Sequence, residues 1–147
     1  MATRTETIHR AIAALQRLSD LFGERRDQIA HEAGLSVPQW RILEEIATEH
    51  FMPSLFARHR AVTPAAVSKL VRALLERDLV RASIAKGDRR QRTYLLTASG
   101  RRLLDRVRQT RQTAIDEVWA DLPVSELRDF ARFGESLASR LETYLDR

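Results

Sequence analysis

Apolar residues recur every three or four positions between residues 4 and 30, at Ile8, Ala11, Ile12, Leu15, Leu18 and Phe22. That period predicts an amphipathic helix, and Gly34 is placed to close it in a left-handed cap. Ser36, followed by Val37 and Pro38, has the chemistry of a second helix start. This helix carries Trp40, Leu43, Ile46 and Ala47 on its apolar face. Pro53 stops it, and SLFARH (54–59) suits one short helix. Thr63-Pro64 marks the next start, a side-chain cap and then proline at the first helical position. Val67, Leu70, Val71, Leu74 and Leu75 form the apolar stripe that follows. Asp78 stands near its end, where glycine is more usual.

The period then changes. LVRASIA (79–85) and QRTYLL (91–96) are short β-capable segments, and Gly87-Asp88 between them supplies turn chemistry. Thr97 opens a long helical pattern with Leu103, Leu104, Val107, Ala114, Ile115, Val118 and Trp119 apolar. Within it, RQTRQT (108–113) is polar on every side, as expected of a helix bridging two packed regions. Pro123 restarts the chain, and Leu127, Phe130, Ala131, Leu137, Leu141 and Leu145 make a last amphipathic helix. The terminal helices have little in their own chain to cover their stripes, which predicts an intertwined homodimer. The expected fold is mostly α with a small two- to three-stranded β wing. Residues 1–35 and 108–147 are expected to form a helical dimerisation region, and 36–107 a winged helix-turn-helix.

Bulk composition narrows the function. At 147 residues and 44% hydrophobic, the chain is of globular, single-domain size, or two small lobes sharing an element. It has no apolar run of membrane-spanning length, and its N-terminus lacks the features of a secretory signal, so the expected location is the cytoplasm. The absence of cysteine excludes disulfides, thiolate metal sites and thiol redox chemistry. The net charge is +5, and Lys69 and Lys86 are the only lysines among 25 cationic residues. Arginine's planar fork suits phosphate and guanine, although arginine-rich composition alone also follows from a GC-rich genome.

A short helix, a turn, a capped helix and a basic two-stranded ribbon, in that order, are the parts of a winged helix-turn-helix. The capped helix has a width that fits the major groove. With its apolar stripe inward, Thr63, Ala65, Ala66, Ser68, Lys69 and Arg72 face outward: small, hydroxyl or cationic residues that allow close approach to DNA. Its N-terminus is expected to offer free amides to phosphate, with Arg58 and Arg60 reaching the backbone. The ribbon's turn, KGDRRQR (86–92), packs four cations and one carboxylate around a glycine.

The run from Trp40 to Arg102 resembles the MarR family of bacterial winged-helix transcription regulators. The matching stretches are AAVSKLVRALLERDLV (65–80) and GDRRQRTYLLTASG (87–100). The family's hydroxyl-bearing recognition helix corresponds to Val67-Ser68-Lys69-Leu70-Val71, and its wing motif to Asp88-Arg89-Arg90. The L-T-x-x-G opening of its long dimer helix corresponds to Leu96-Thr97-Ala98-Ser99-Gly100. Three places depart from the pattern: Asp78 replaces a glycine, Arg72 a commonly acidic residue, and EHFMPSLFARHR (49–60) a small-residue stretch.

The resemblance implies double-stranded DNA as partner, a homodimer, and repression relieved by a small, often aromatic, ligand. It makes Arg90 the wing-tip residue of the minor groove and Asp88 the residue that orients it. Arg89 and Arg92, with Lys86 beside them, would face phosphates. Trp40 would lie near the ligand pocket or in the core, and His9, Arg17 and His31 could anchor a carboxylate. No cofactor is expected. His31-Glu32 lacks the second histidine of a zinc-protease pattern, and His50 and His59 lack a carboxylate at ligand spacing. No catalytic set stands out, so an enzyme is not expected. Two other classes fit the same residues: a winged-helix module for protein partners, and a small-molecule binder without DNA.

Overall fold

A computed structural model of the chain describes residues 1–84 and 92–147. The elements run α1 (Arg4–Glu32), α2 (Val37–Ala47), α3 (Pro53–His59), α4 (Pro64–Glu76), β1 (Val80–Ile84), β2 (Arg92–Leu96), α5 (Ala98–Trp119) and α6 (Val124–Leu145). The order and type agree with the periodicity. Pro53 differs in role, because it is the first residue of α3 as well as the end of what precedes it, a position that needs no amide. The sheet has two strands among the described residues. No helix of the described residues is long and apolar enough to cross a membrane.

Residues Met1–Arg111 form one compact unit and Gln112–Arg147 a second. The division falls inside α5, within the RQTRQT stretch. In the first unit α2 packs against α1, α4 and β2, and α4 against α3 and β1. Ile42, Leu43, Val67 and Leu74 have no exposed surface, and Val80, Leu104 and Val107 little more. The N-terminal two-thirds of α1 behaves otherwise: Ile8, Ile12, Leu15, Leu18, Leu21 and Phe22 keep their stripe in solvent. In the second unit α6 has no buried residue, with Phe130, Phe133, Leu141 and Tyr144 all exposed.

Four helices end the same way. Gly34, Glu49, Ala61 and Asp78 each take a positive φ, of 69°, 61°, 51° and 54°. After α1, α3 and α4 the two amides that follow turn back onto carbonyls of the last turn. An example is Val62 N to Ala57 O with Ala61 N to Arg58 O, at 3.0 and 3.4 Å. This is the paired bonding of a Schellman cap. Only Gly34 adopts it without a steric penalty; for the other side chains the left-handed region costs about 1–2 kcal/mol, less for Asp.

The hairpin is held at its base. Val80 pairs with Leu96 and Ala82 with Tyr94 in antiparallel register, and directly opposed residues share a face. Val80 is 2% exposed while Ile84 is 66% exposed, so the ribbon leaves the core as it proceeds. Thr97 closes the base from the other side. Its Oγ1 donates to Asp78 O at 2.6 Å and accepts from Gly100 N at 3.0 Å, capping α5. Its own amide donates to Leu79 O at 3.1 Å. Gly100 lies so close that a Cβ there would sit 2.0 Å from Leu79 O.

Phe51, Phe56 and Tyr94 account for the stretch 49–60. Phe51 meets Phe56 and Tyr94 edge-on, with ring centroids 5.9 and 5.7 Å apart. The two phenylalanines are buried and Met52 is exposed. One aromatic row thus ties α3 to the second strand.

A polar tie joins α2 to α5. Arg108 Nη2 donates to Glu44 Oε2 at 2.6 Å, and Arg108 Nε and Trp40 Nε1 reach Oε1 at 3.4 and 3.2 Å. Burial pushes the Glu44 carboxyl up, but hydrogen bonds from Arg108 and Trp40 outweigh it and hold the group below its usual range.

Three outcomes follow from these contacts. Gly100→Ala should lower unfolding free energy by about 2–3 kcal/mol in urea titration, the upper range for forced overpacking, because the neighbour is backbone. Ala61→Gly should raise it by about 0.5–1 kcal/mol by removing left-handed strain, read as a higher thermal midpoint. Because Glu44 has a depressed folded-state pKa, its contribution is complete above the ordinary carboxylate value of about 4.3. It is lost as pH falls through the lower folded value. Stability curves of the parent and Glu44→Gln should therefore differ above pH of about 4.3 and converge only as pH falls through the lower folded value. The gap should be under about 1 kcal/mol, because the pair is partly exposed.

Candidate nucleic-acid interface

The cap and the stripe orient α4. Val67, Val71 and Leu74 are buried, which turns Thr63, Ala65, Ala66, Ser68, Lys69 and Arg72 outward; all six are exposed. Ala65, Lys69 and Arg72 follow one another at four and three residues, so they line one ridge. The two alanines keep the front of that ridge low.

The start of α4 is less open to phosphate than the sequence suggests. Thr63 Oγ1 already accepts from Ala66 N at 3.1 Å, Val67 N bonds Thr63 O at 3.2 Å, and Pro64 has no amide to offer. Of the first-turn amides, only that of Ala65 has no acceptor among the described residues.

Arg58 lies exposed in the last turn of α3. Arg60 caps that helix, with its guanidinium carbon 5.9 Å from the centroid of the Phe56 ring. Arg92 is exposed at the head of β2, opposite Ile84. Lys86, Asp88, Arg89 and Arg90 lie outside the described residues.

Two cations that the sequence did not single out complete the picture. Arg41, half-buried on α2, is held below arginine's usual range by burial and then by repulsion from Arg60 and Arg26. Guanidinium groups from α1 and from the end of α3 therefore both act on Arg41. The clue in sequence is weak: Arg41 directly follows a core residue, Trp40.

The other expected residues separate. Trp40 is a core side chain, 7% exposed, and its one polar atom is taken by Glu44. His9, Arg17 and His31 stand exposed on α1. At 1.5 Å per residue, His9 and His31 are about 33 Å apart along one helix, so the three cannot hold one small carboxylate within a single chain. Among the described residues no three His, Asp or Glu side chains could jointly hold a metal ion.

Comparison with known proteins agrees with this architecture. The sequence model described as "MarR family" matches residues 33–91, the span from the close of α1 through the hairpin turn. The chain is 31% identical over 107 residues to the HTH-type transcriptional repressor Rv2887 of Mycobacterium tuberculosis, covering 72% of this chain and 77% of that protein. Among solved structures, a MarR family transcription regulator superposes with a TM-score of 0.85 at 14% identity, covering 97% and 95% of the two chains. Staphylococcus aureus MarR in complex with salicylate and kanamycin gives 0.77 at 19% identity, covering 93% of each. A Staphylococcus aureus MepR variant bound to an oligodeoxyribonucleotide gives 0.64 at 19% identity, covering 89% and 97%. The likeness in sequence extends over most of both chains and the fold is shared end to end: the protein belongs to the MarR family of transcription regulators.

Proposed function

We propose that the protein is a homodimeric repressor of a pseudo-palindromic operator, with half-sites about one helical turn, roughly 34 Å, apart. The observation that carries this is the exposed ridge Ala65-Lys69-Arg72 of α4 beside a hairpin that projects from the core. The ridge enters the major groove. Lys69 and Arg72 reach base edges or flanking phosphates, and Arg58, Arg60 and Arg92 take backbone phosphates. Arg90 enters the minor groove at the turn, oriented by Asp88, while Lys86 and Arg89 face phosphates. Residues 36–107 bind DNA, and residues 1–35 and 108–147 dimerise. The bare apolar stripes of α1 and α6 support the second part, since a second copy can bury what one chain leaves in water.

Repression is supported by the Mycobacterium tuberculosis relative, which is a repressor. A small-molecule effector is supported by the salicylate complex of the Staphylococcus aureus homologue. Such a ligand releases DNA by favouring a dimer whose two recognition helices are wrongly spaced for the operator. The protein acts in the cytoplasm, where its DNA is.

Sedimentation of the purified chain should give a dimer, and a monomer at micromolar concentration would remove the two-fold operator. In gel-shift titrations Lys69→Ala and Arg90→Ala should each weaken specific binding by about 1–3 kcal/mol, Lys69→Ala with altered sequence preference. Arg92→Ala should instead weaken all duplexes alike and flatten the salt dependence. Weak binding that salt leaves unchanged would point to a protein-binding module.

A further inference from the structure

Arg77 closes α4 as its cap residue, yet its side chain leaves that helix. Nη1 donates to the carbonyl of Gly34 at 2.6 Å, across 43 positions of sequence. Gly34 is the left-handed residue where α1 gives way to α2. The guanidinium lies near it, so that a Cβ on Gly34 would be 3.5 Å from Nη2. A guanidinium-to-carbonyl bond of this length is of the stronger, charge-assisted kind. It joins the end of the long first helix to the end of the helix that carries Lys69 and Arg72.

The far side of the same junction is held independently. Thr97 bonds to Asp78 O and to Leu79 O, and Gly100 abuts Leu79. The last turn of α4 is therefore gripped from α1 on one side and α5 on the other. Thr63, at the opposite end, lies about 21 Å away by helical rise. A tilt of about 5° at the gripped end moves the other by about 2 Å, enough to break a hydrogen bond to a base edge. Recognition helices read bases mainly through their N-terminal residues. Arg77 is far from that end, and one arm of its guanidinium is already engaged, so a phosphate contact is the weaker reading.

We infer that Arg77 is a positioning residue for DNA recognition: its hydrogen bond to Gly34 sets the angle at which α4 presents Ala65, Lys69 and Arg72. The inference rests on the DNA-binding function proposed above. Loss of the bond loosens the pivot and degrades base readout, while the cations that attract any duplex stay in place. Specific affinity falls and non-specific affinity does not.

The test uses the full chain and a duplex enriched by the parent protein from a randomised library, with a scrambled duplex of equal length as reference. Arg77→Ala should weaken binding to the enriched duplex about tenfold, the scale of one good hydrogen bond. Its affinity for the scrambled duplex and its salt slope should stay at parental values, and Arg77→Lys should restore part of the loss. Amide exchange at Asp78 and Leu79 should quicken in Arg77→Ala. Equal losses on both duplexes with a lower melting temperature would show a general structural role and overturn the inference. A salt slope reduced by about 0.9 per lost contact would make Arg77 a phosphate ligand, with the same consequence. An unchanged specificity ratio with parental exchange would also dismiss it, leaving DNA binding intact. If the parent enriches no duplex, the DNA reading itself fails, and the role of Arg77 with it.

Discussion

The carbonyl of Leu79 and the glycine that presses on it set the geometry of the winged-helix part of the chain. With a Cβ excluded at 2.0 Å, the first turn of α5 can approach the exit of α4 only through Gly100. That approach lets Thr97 cap α5 while holding Asp78 O and Leu79 O. The two ends of the hairpin therefore start and finish at one fixed point. Along β1 the buried Val80 gives way to exposed residues as far as Ile84. The Phe51–Tyr94 ring contact steadies it from the side of α3.

Much of this was legible in sequence because it is periodic or local. The helical stripes, the Thr63-Pro64 start and the Thr97-to-Gly100 spacing each follow from a single rule of backbone chemistry, and the family resemblance rests on the same residues. The helix exits were legible at Gly34 and at Asp78, which stands where glycine is usual and takes the left-handed conformation. At Glu49 and Ala61 the left-handed residue carries a side chain that disfavours it, so the usual signal is missing and tertiary context overrides it. Residue pairs far apart in sequence were invisible for a different reason. Neither Glu44 with Arg108 nor Arg77 with Gly34 leaves a spacing to read, and the same holds for the repulsion of Arg41 by Arg60 and Arg26. His9, Arg17 and His31 all lie on α1, and sequence alone does not show that their spacing along one helix keeps them apart within one chain.

The electrostatics divide by location. Where a carboxylate and an arginine face each other across α2 and α5, at the partly exposed pair Glu44 and Arg108, the charges are satisfied and join two helices. Around α3 and α4 the cations stand without acids: Arg58, Arg60, Lys69 and Arg72 have no ion pair among the described residues. Such unpaired charge lowers the stability of a free protein slightly and raises its attraction for a polyanion. The folded chain accepts this small strain where an anionic partner can relieve it.

The three strained helix exits have an evolutionary side. Alanine, aspartate and glutamate codons all begin with G and become glycine codons by a single change at the second base. At Ala61, Asp78 and Glu49 the chain is thus one nucleotide from relieving left-handed strain, at exposed positions with no packing to lose. A gene so placed holds a reserve of stability within reach of point mutation. It can offset a destabilising change elsewhere in the chain while an altered function is being acquired.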